Sequence, residues 1–298
     1  MPFRRRRGLS RMPALLAAAA FVALWSTGFV VARAIPPYAD PNLYLLARFG
    51  GTALLFGAIA LATRARWPAG REWGRHLLAG ALLQGCYLGA SYWAVAQGLP
   101  AGVMALLGAL QPLATAALAV PLFGERLPAR GWAGMALGLA GVALVLAPKL
   151  AAPAAAAGLS AFTVLVALLA IASITAGSLY QKTAVARTDL RTTVAVQNAG
   201  AAAVAAGFAL ALGETRWIAS PTLWFSLAWG VTMLSGGAIV LLVWLLRRGG
   251  AARATSLMFL APPLAALQGY LLFGETLGAP QLAGFALALA GVVLARAR

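Results

Sequence analysis

Long runs of apolar residues alternate with short polar or turn-forming segments along most of the chain. Each run holds about 20 mostly apolar residues, the length that a helix needs to cross roughly 30 Å of hydrocarbon. The runs are too long and too uniformly apolar for the alternating strands of a membrane barrel, so helices are favoured. We predict ten transmembrane helices, approximately at residues 12–34, 42–63, 76–97, 101–123, 129–148, 158–181, 191–212, 222–246, 252–273 and 279–296.

Composition agrees with a lipid environment. Of the 298 residues, 62% are hydrophobic and 10% are charged, and the mean hydropathy is +0.87. A soluble domain carries roughly 25% charged residues. A single soluble domain and a disordered chain are therefore both excluded, and we expect an all-α integral membrane protein.

The basic residues predict an orientation, because loops rich in Lys and Arg stay in the cytoplasm. With the N-terminus inside, 19 of the 23 Lys and Arg residues fall in inner segments, whereas Arg33, Lys149 and Arg216 fall in outer segments and Arg48 lies within the second helix. The net charge of +17 is thus explained by topology, and nucleic acid is not an expected partner. We predict a multi-pass protein of a bacterial inner (plasma) membrane with both termini cytoplasmic and the lipid bilayer as its partner.

The residues that support common enzyme chemistry are scarce. Cys86 and His76 are single, and the chain holds six acidic residues, so a disulfide, a metal cluster and a Ser-His-Asp triad are not expected. No GxxxxGK[ST] phosphate loop occurs. We therefore predict neither an enzyme nor a cofactor.

The second half of the sequence repeats the first. With an offset of 150, 15 of the 23 positions from Leu122 to Leu144 are identical without a gap, including the Leu-Phe-Gly-Glu segment that recurs at 272–275. Pro112 falls on Pro262 in the same comparison. The chain is thus predicted to consist of two five-helix repeats, residues 1–150 and 151–298.

An odd number of helices in each repeat inserts the second copy upside down. The predicted fold is therefore ten transmembrane helices arranged as two inverted five-helix repeats. Inverted repeats related by an axis in the membrane plane are typical of secondary transporters, whose substrate sites lie between the repeats near the midplane.

The motifs also carry a family resemblance. The pattern from Pro112 to Val142, which recurs from Pro262 to Val292, resembles the EamA-type branch of the drug/metabolite transporter superfamily. The segments Trp25-Ser26-Thr27-Gly28 and Arg48-Phe49-Gly50 look like the same family. The resemblance covers nearly the whole chain. It implies a ten-helix inner-membrane carrier, in a family whose members export amino acids, other metabolites or drugs, or import vitamins.

Arg48 is the strongest candidate for a residue of the substrate site. An ionisable side chain within a span costs several kcal/mol unless it is paired, snorkels or faces water. Arg48 could face a central cavity and attract a carboxylate, or it could snorkel and bind helix-end carbonyls. By repeat position it aligns with Gln197, beside Asn198, and these amides either form a second polar patch or hydrogen-bond helices together.

The remaining site candidates are polar or aromatic residues in the predicted spans. Gln84 and Tyr87 are three residues apart and share a helix face, whereas Tyr92 and Trp93 could equally belong to an interfacial aromatic belt. Paired helix interruptions in two repeats point to a transporter site, so Pro112 and Pro262 are candidate hinges, although static kinks are the alternative. The other candidates are Trp25, Gln111, Tyr180 and Gln268.

Glycines spaced along the fifth and tenth predicted helices permit close helix contact. They are Gly134, Gly138 and Gly141 with Gly284 and Gly291. The spacing does not distinguish packing within the chain from a homodimer.

These observations predict a secondary transporter (permease) for small organic metabolites, with amino-acid-like substrates favoured. It would move them outward by alternating access, with the metabolite bound in the site as its small-molecule partner. One alternative is a drug or vitamin carrier for apolar substrates. Another is a non-transporting membrane scaffold.

Overall fold

The computed structural model describes residues 11–124, 128–151, 160–185, 188–238, 241, 261–275 and 278–296. Within these residues the regular structure is helical, and an isolated β-bridge joins Ala39 to Trp217. The first repeat contains α1 (Arg11–Ala34), α2 (Pro41–Ala62), α3 (Glu72–Gly80), π1 (Ala81–Cys86), α4 (Tyr87–Ala96), α5 (Ala101–Ala109), α6 (Gln111–Phe123) and α7 (Ala129–Ala151). The second contains α8 (Ala161–Ala184), α9 (Leu190–Ala211), α10 (Pro221–Trp229), π2 (Gly230–Gly237), α11 (Ala261–Phe273) and α12 (Ala279–Arg296).

The helices follow the predicted apolar runs closely. The third run is one continuous helical stretch made of α3, π1 and α4, and the fourth is divided into α5 and α6 at Leu110. The predicted boundary between the eighth and ninth runs lies outside the described residues. Among the residues that the structure describes, three helices are long and apolar enough to cross a membrane, over Pro41–Ala62, Ala161–Lys182 and Leu190–Ala211. The full count of ten stays a prediction.

The repeats are joined by two pairs of equivalent helices. The first pair is α2 and α9, which run antiparallel. Asn42, near the start of α2, bonds to Glu214, just after α9, whereas Arg66, just after α2, accepts a hydrogen bond from Thr192 at the start of α9. Antiparallel packing of equivalent helices is the arrangement that an inverted repeat requires.

The second pair is α7 and α12, and glycines bring these two helices together. A Cβ on Gly141 would overlap the backbone nitrogen of Ala288, and a Cβ on Gly291 would overlap the backbone of Gly134 and Gly138. Only glycine permits this approach, since any side chain would separate the helices. The predicted glycine spacing is therefore used for packing within the chain. A homodimer stays a prediction.

The apolar core does not extend evenly along the broken fourth helix. Eight of the nine residues of α5 are buried, and Val103, Met104, Leu106 and Leu107 belong to the main core cluster. After the break at Leu110, the described side chains of α6 are half-buried or exposed. Pro112 is the second residue of α6, a position that a proline tolerates because the first turn has no intrahelical N–H partner.

The two π-helical segments occupy equivalent positions. π1 begins at Ala81 and π2 begins at Gly230, and these residues differ by the repeat offset of 149 that aligns Gly28 with Gly177. Such segments occur most often as single turns inside α-helices at functional sites. Their presence in both repeats was not predicted, since hydrophobic periodicity does not report i→i+5 bonding.

Candidate functional site

Arg48 is buried within the helix bundle. It lies seven residues after the start of α2 and is 7% exposed. Its Nη1 donates a hydrogen bond to the hydroxyl of Tyr92 on α4 (3.1 Å). The Tyr92 hydroxyl in turn donates to the carbonyl of Gly28 on α1 (3.2 Å). This chain of bonds places a guanidinium where α1, α2 and α4 meet.

The Arg48 guanidinium is only partly satisfied. Its Nε is enclosed and has no hydrogen-bond partner. Among the residues that the structure describes, no carboxylate forms an ion pair with it. An enclosed charge without an anion is costly in a bilayer. Within the described residues, the guanidinium thus keeps hydrogen-bonding capacity that no carboxylate uses.

Two further residues shape the space around this guanidinium. Tyr44 stacks on Tyr92 with the ring centroids 6.1 Å apart, and its hydroxyl donates to the carbonyl of Ser226 on α10 (2.7 Å). A Cβ on Gly230 would stand 2.9 Å from Cδ of Arg48. Glycine at the start of π2 thus leaves room for the arginine. We call Arg48, Tyr44, Tyr92 and Gly230 the Arg48 cluster.

Sequence reasoning left the role of Tyr92 open and missed Tyr44 and Gly230. Tyr92 is buried at 3% exposure, so the interfacial aromatic belt considered for it is the wrong interpretation. Tyr44 lies one helical turn before Arg48, and the i,i+4 rule could have paired the two. Gly230 had no local signal, because its role depends on the approach of a different helix.

Gln111 connects the two repeats. Its Nε2 donates to Thr115 (2.9 Å) on its own helix and to Ser178 (3.0 Å) on α8. It is the first residue of α6, directly after the helix break. The amide thus holds the less buried half of the fourth helix against the second repeat.

Gln197 and Asn198 lie buried on α9. The Gln197 Nε2 donates to Oε1 of Gln181 on α8 (2.7 Å), next to the half-buried Tyr180. The Asn198 Nδ2 donates to the carbonyl of Val194 (2.9 Å). The Gln197 bond joins α9 to α8, as amides between membrane helices do, whereas the Asn198 bond stays within α9 and its Oδ1 is enclosed without a partner.

The remaining candidates lie on α1, on the continuous stretch made of π1 and α4, and on α11. Trp25 packs beside Phe21, with the ring centroids 5.8 Å apart, and Tyr87 is buried near Gly108 of α5. Gln84 is half-buried within π1, so the three-residue spacing no longer shows that it shares a face with Tyr87. Gln268 has an enclosed Oε1 without a partner, and Pro262 is buried at the start of α11.

The described carboxylates lie at helix ends. Glu275 pairs with Arg33 (3.1 Å), Asp40 with Arg216 (3.0 Å), and Glu72 with Arg75. Glu125 lies outside the described residues. Within the part of the chain that the structure describes, no group of three or more His, Cys, Asp and Glu side chains is placed to hold a metal ion.

Comparisons with known proteins agree with this architecture. A solved crystal structure has a similar fold, with a TM-score of 0.64, 21% sequence identity and coverage of 95% of this chain and 96% of that chain. No curated protein matches the chain. The model of the EamA-like transporter family matches it twice, over residues 12–147 and 161–297. The chain therefore belongs to the EamA-like transporter family of multi-pass membrane proteins that carry small solutes.

Proposed function

We propose that the protein is a secondary transporter for small metabolites that bear a carboxylate, with amino acids as the favoured class. It moves them outward across a bacterial inner membrane by alternating access between the two repeats. The observation that supports this proposal is the buried Arg48, whose Nε lacks a partner. The rest of the Arg48 cluster supplies two tyrosine rings, which suit an organic acid with an apolar body.

The orientation and the mechanism have separate support. The charge asymmetry of the loops supports cytoplasmic termini. The antiparallel helix pairs and the break before Gln111 support two halves that rock about a shared site. π2, which begins at Gly230 of the Arg48 cluster, and π1 at the equivalent position of the first repeat are further places where the helices can bend.

The test is efflux from proteoliposomes that contain purified protein and labelled amino acids. Arg48→Ala should lower efflux of the acids by roughly 10- to 100-fold, because a hydrogen bond to a charged group contributes about 1.5–3 kcal/mol. Arg48→Lys, which keeps the charge and loses the planar fork, should retain part of the activity. Arg130→Ala is the matched control, since this arginine is exposed at the start of α7.

Amino-acid amides, which lack the carboxylate, distinguish the proposal from its alternative. If Arg48→Ala impairs acids and amides equally, the arginine is structural. Efflux of apolar drugs or vitamins alone would favour a carrier for apolar compounds. A protein that is folded and moves none of these compounds would favour a scaffold. Repeating the assay with a pH gradient shows whether protons drive the flux.

A further inference from the structure

The two ends of the α2–α9 pair are equivalent by repeat position, yet they are built differently. At the Asp40 end, named for the residue before α2, the Glu214 carboxylate accepts bonds from the backbone N–H groups of Asn42 (2.8 Å) and Leu43 (3.0 Å). The Asp40 carboxylate accepts bonds from the N–H groups of Thr215 (3.0 Å) and Arg216 (2.8 Å). Two carboxylates from opposite repeats thus fill this end.

The Arg64 end, named for the residue just after α2, keeps one carboxylate, Asp189, which accepts its hydrogen bonds from Arg191 of its own helix, and it lacks the second. The offset of 149 places Asp40 on Asp189 and Glu214 on Ala65. It also places Gly213 on Arg64, and both have left-handed backbones, with φ of +64° and +51°. At the position where the Asp40 end has the Glu214 carboxylate, the Arg64 end therefore has only the methyl group of Ala65.

A cavity of about 480 Å³ lies at the Arg64 end. It holds three arginines and one aspartate, and its lining consists of Arg64, Ala65, Arg66, Trp67, Thr188, Asp189 and Arg191. Asp189 is engaged by Arg191, whose Nε donates to its Oδ1 (2.9 Å). These hydrogen bonds lower the pKa of the Asp189 carboxyl to about 2, so it stays ionised and paired with Arg191 at neutral pH. The remaining arginines, Arg64 and Arg66, have exposed side chains.

Arg64 occupies a conformation that favours glycine. A left-handed backbone costs a non-glycine residue roughly 1–2 kcal/mol, and Gly213 avoids that cost at the equivalent position. The strain at Arg64 places a guanidinium at the rim of the cavity. Arginine forks match phosphate geometry.

We propose that this cavity binds a phosphate group, presented by the headgroup of an anionic phospholipid. The cavity lies where two membrane helices end, which is the depth of lipid headgroups. Trp67, in its lining, stacks on the half-exposed Trp73 with the ring centroids 5.6 Å apart. Tryptophans are enriched at the membrane interface. Basic pockets between helices on the cytoplasmic side are suited to anionic headgroups, and the loop charges predict that this end is cytoplasmic.

The experiment measures thermal unfolding of the full chain in detergent with added phosphatidylglycerol or phosphatidylcholine. Phosphatidylglycerol near saturation should raise the midpoint by about 5 °C, because a ligand that binds only the folded state stabilises it. Phosphatidylcholine, which has no net charge, should raise it much less. Inorganic phosphate that gives the same rise without lipid would identify a free anion as the ligand and overturn the lipid assignment.

Two variants separate binding from folding. Arg64→Gly removes a guanidinium and relieves the strain, so it should raise the lipid-free midpoint and reduce the response to phosphatidylglycerol. Ala65→Glu supplies the carboxylate that Glu214 provides at the other end, and it should abolish the response. Arg71→Ala is the matched control, since this exposed arginine does not line the cavity. An unchanged response in both Arg64→Gly and Ala65→Glu would overturn the proposal, whatever the transport assays show.

Discussion

The two helix pairs that join the repeats do different work. The α7–α12 pair meets mainly through glycine backbones and apolar side chains, such as those around Gly141 and Gly284, and the Gln281 amide on α12 donates to the carbonyl of Val145 on α7. The α2–α9 pair carries Arg48, Gln197 and the carboxylates at its ends. The same inverted symmetry thus produces one pair that serves mainly packing and one that holds most of the polar groups. Repeat symmetry determines where the helices lie, and the individual side chains determine which pair carries the charged and polar groups.

Polar chemistry is also uneven within the α2–α9 pair. Arg48 and Gln197 occupy equivalent positions, each about 10 Å along its helix from the first residue. Gln197 has a partner amide on α8, whereas Arg48 keeps an unpartnered Nε. Because the helices are antiparallel, these equivalent positions lie on opposite sides of the middle of the pair, and the cation lies nearer the Asp40 end. The fold is symmetric, but its buried positive charge lies on one side only. We expect this asymmetry to orient a charged substrate.

The largest loss of stability should come from a substitution at a glycine contact of the α7–α12 pair. Gly141→Leu inserts a side chain where a Cβ already overlaps the backbone of Ala288. Overpacking costs typically 1–3 kcal/mol and sometimes more, and here the whole interface must separate. We expect loss of folded protein or a fall of at least 5 °C in the unfolding midpoint, measured in detergent.

Gly207→Leu, in the α2–α9 pair, is the matched control for Gly141→Leu. Gly207 lies in α9 and is exposed, with nothing within 4 Å of the position of its Cβ. Leucine favours helix by up to about 1 kcal/mol over glycine, so this variant should be neutral or more stable. If both substitutions lower the unfolding midpoint equally, the loss does not come from the close contact between α7 and α12.

A moderate effect should follow from Glu214→Ala. The carboxylate accepts the backbone N–H groups of Asn42 and Leu43, which no residue within α2 can satisfy. Losing a cap costs about 0.5–2 kcal/mol, so the unfolding midpoint should fall by a few degrees. Glu72→Ala, which breaks an exposed pair with Arg75, should change it by about 1 °C or less. A smaller loss from Glu214→Ala than from Glu72→Ala would contradict the capping role.

The smallest effect should come from Gln197→Leu. It removes one hydrogen bond to Gln181, and such a bond contributes about 1 kcal/mol. We expect efflux in proteoliposomes to change by less than about twofold, against the large loss in Arg48→Ala. A double-mutant cycle with Gln181→Leu should give a coupling of about 1 kcal/mol in unfolding free energy. A loss of efflux as large as that of Arg48→Ala would place Gln197 in the substrate site.

Much of the fold could be predicted because the bilayer imposes simple requirements. A spanning helix needs an apolar run, and the described helices begin and end within a few residues of those runs wherever the two can be compared. The Leu-Phe-Gly-Glu repeat indicated two copies, and the family match agrees. The helix break at Leu110 lies beside Pro112, as proline chemistry predicts. The π-helical segments were missed, because the residues at 81–86 are compatible with an α-helix.

The candidate site was predictable only in part. Arg48 was identified because a cation in an apolar run is costly. Its partners lie on other helices, and Tyr92 is 44 residues away along the chain. The cavity at the Arg64 end was not foreseen, since each of its arginines also fits the loop charge that sets orientation.

The sequence by itself thus determined the helical class, the repeat and the family, because these depend on local composition and on periodicity along one chain. Only the tertiary structure decided that the glycines are used within the chain, that Tyr44 and Tyr92 enclose Arg48, and that Ala65 leaves an unfilled space among arginines. Each of these facts is a contact between segments far apart in sequence. Their distances are set by how helices pack against one another, which local patterns do not encode.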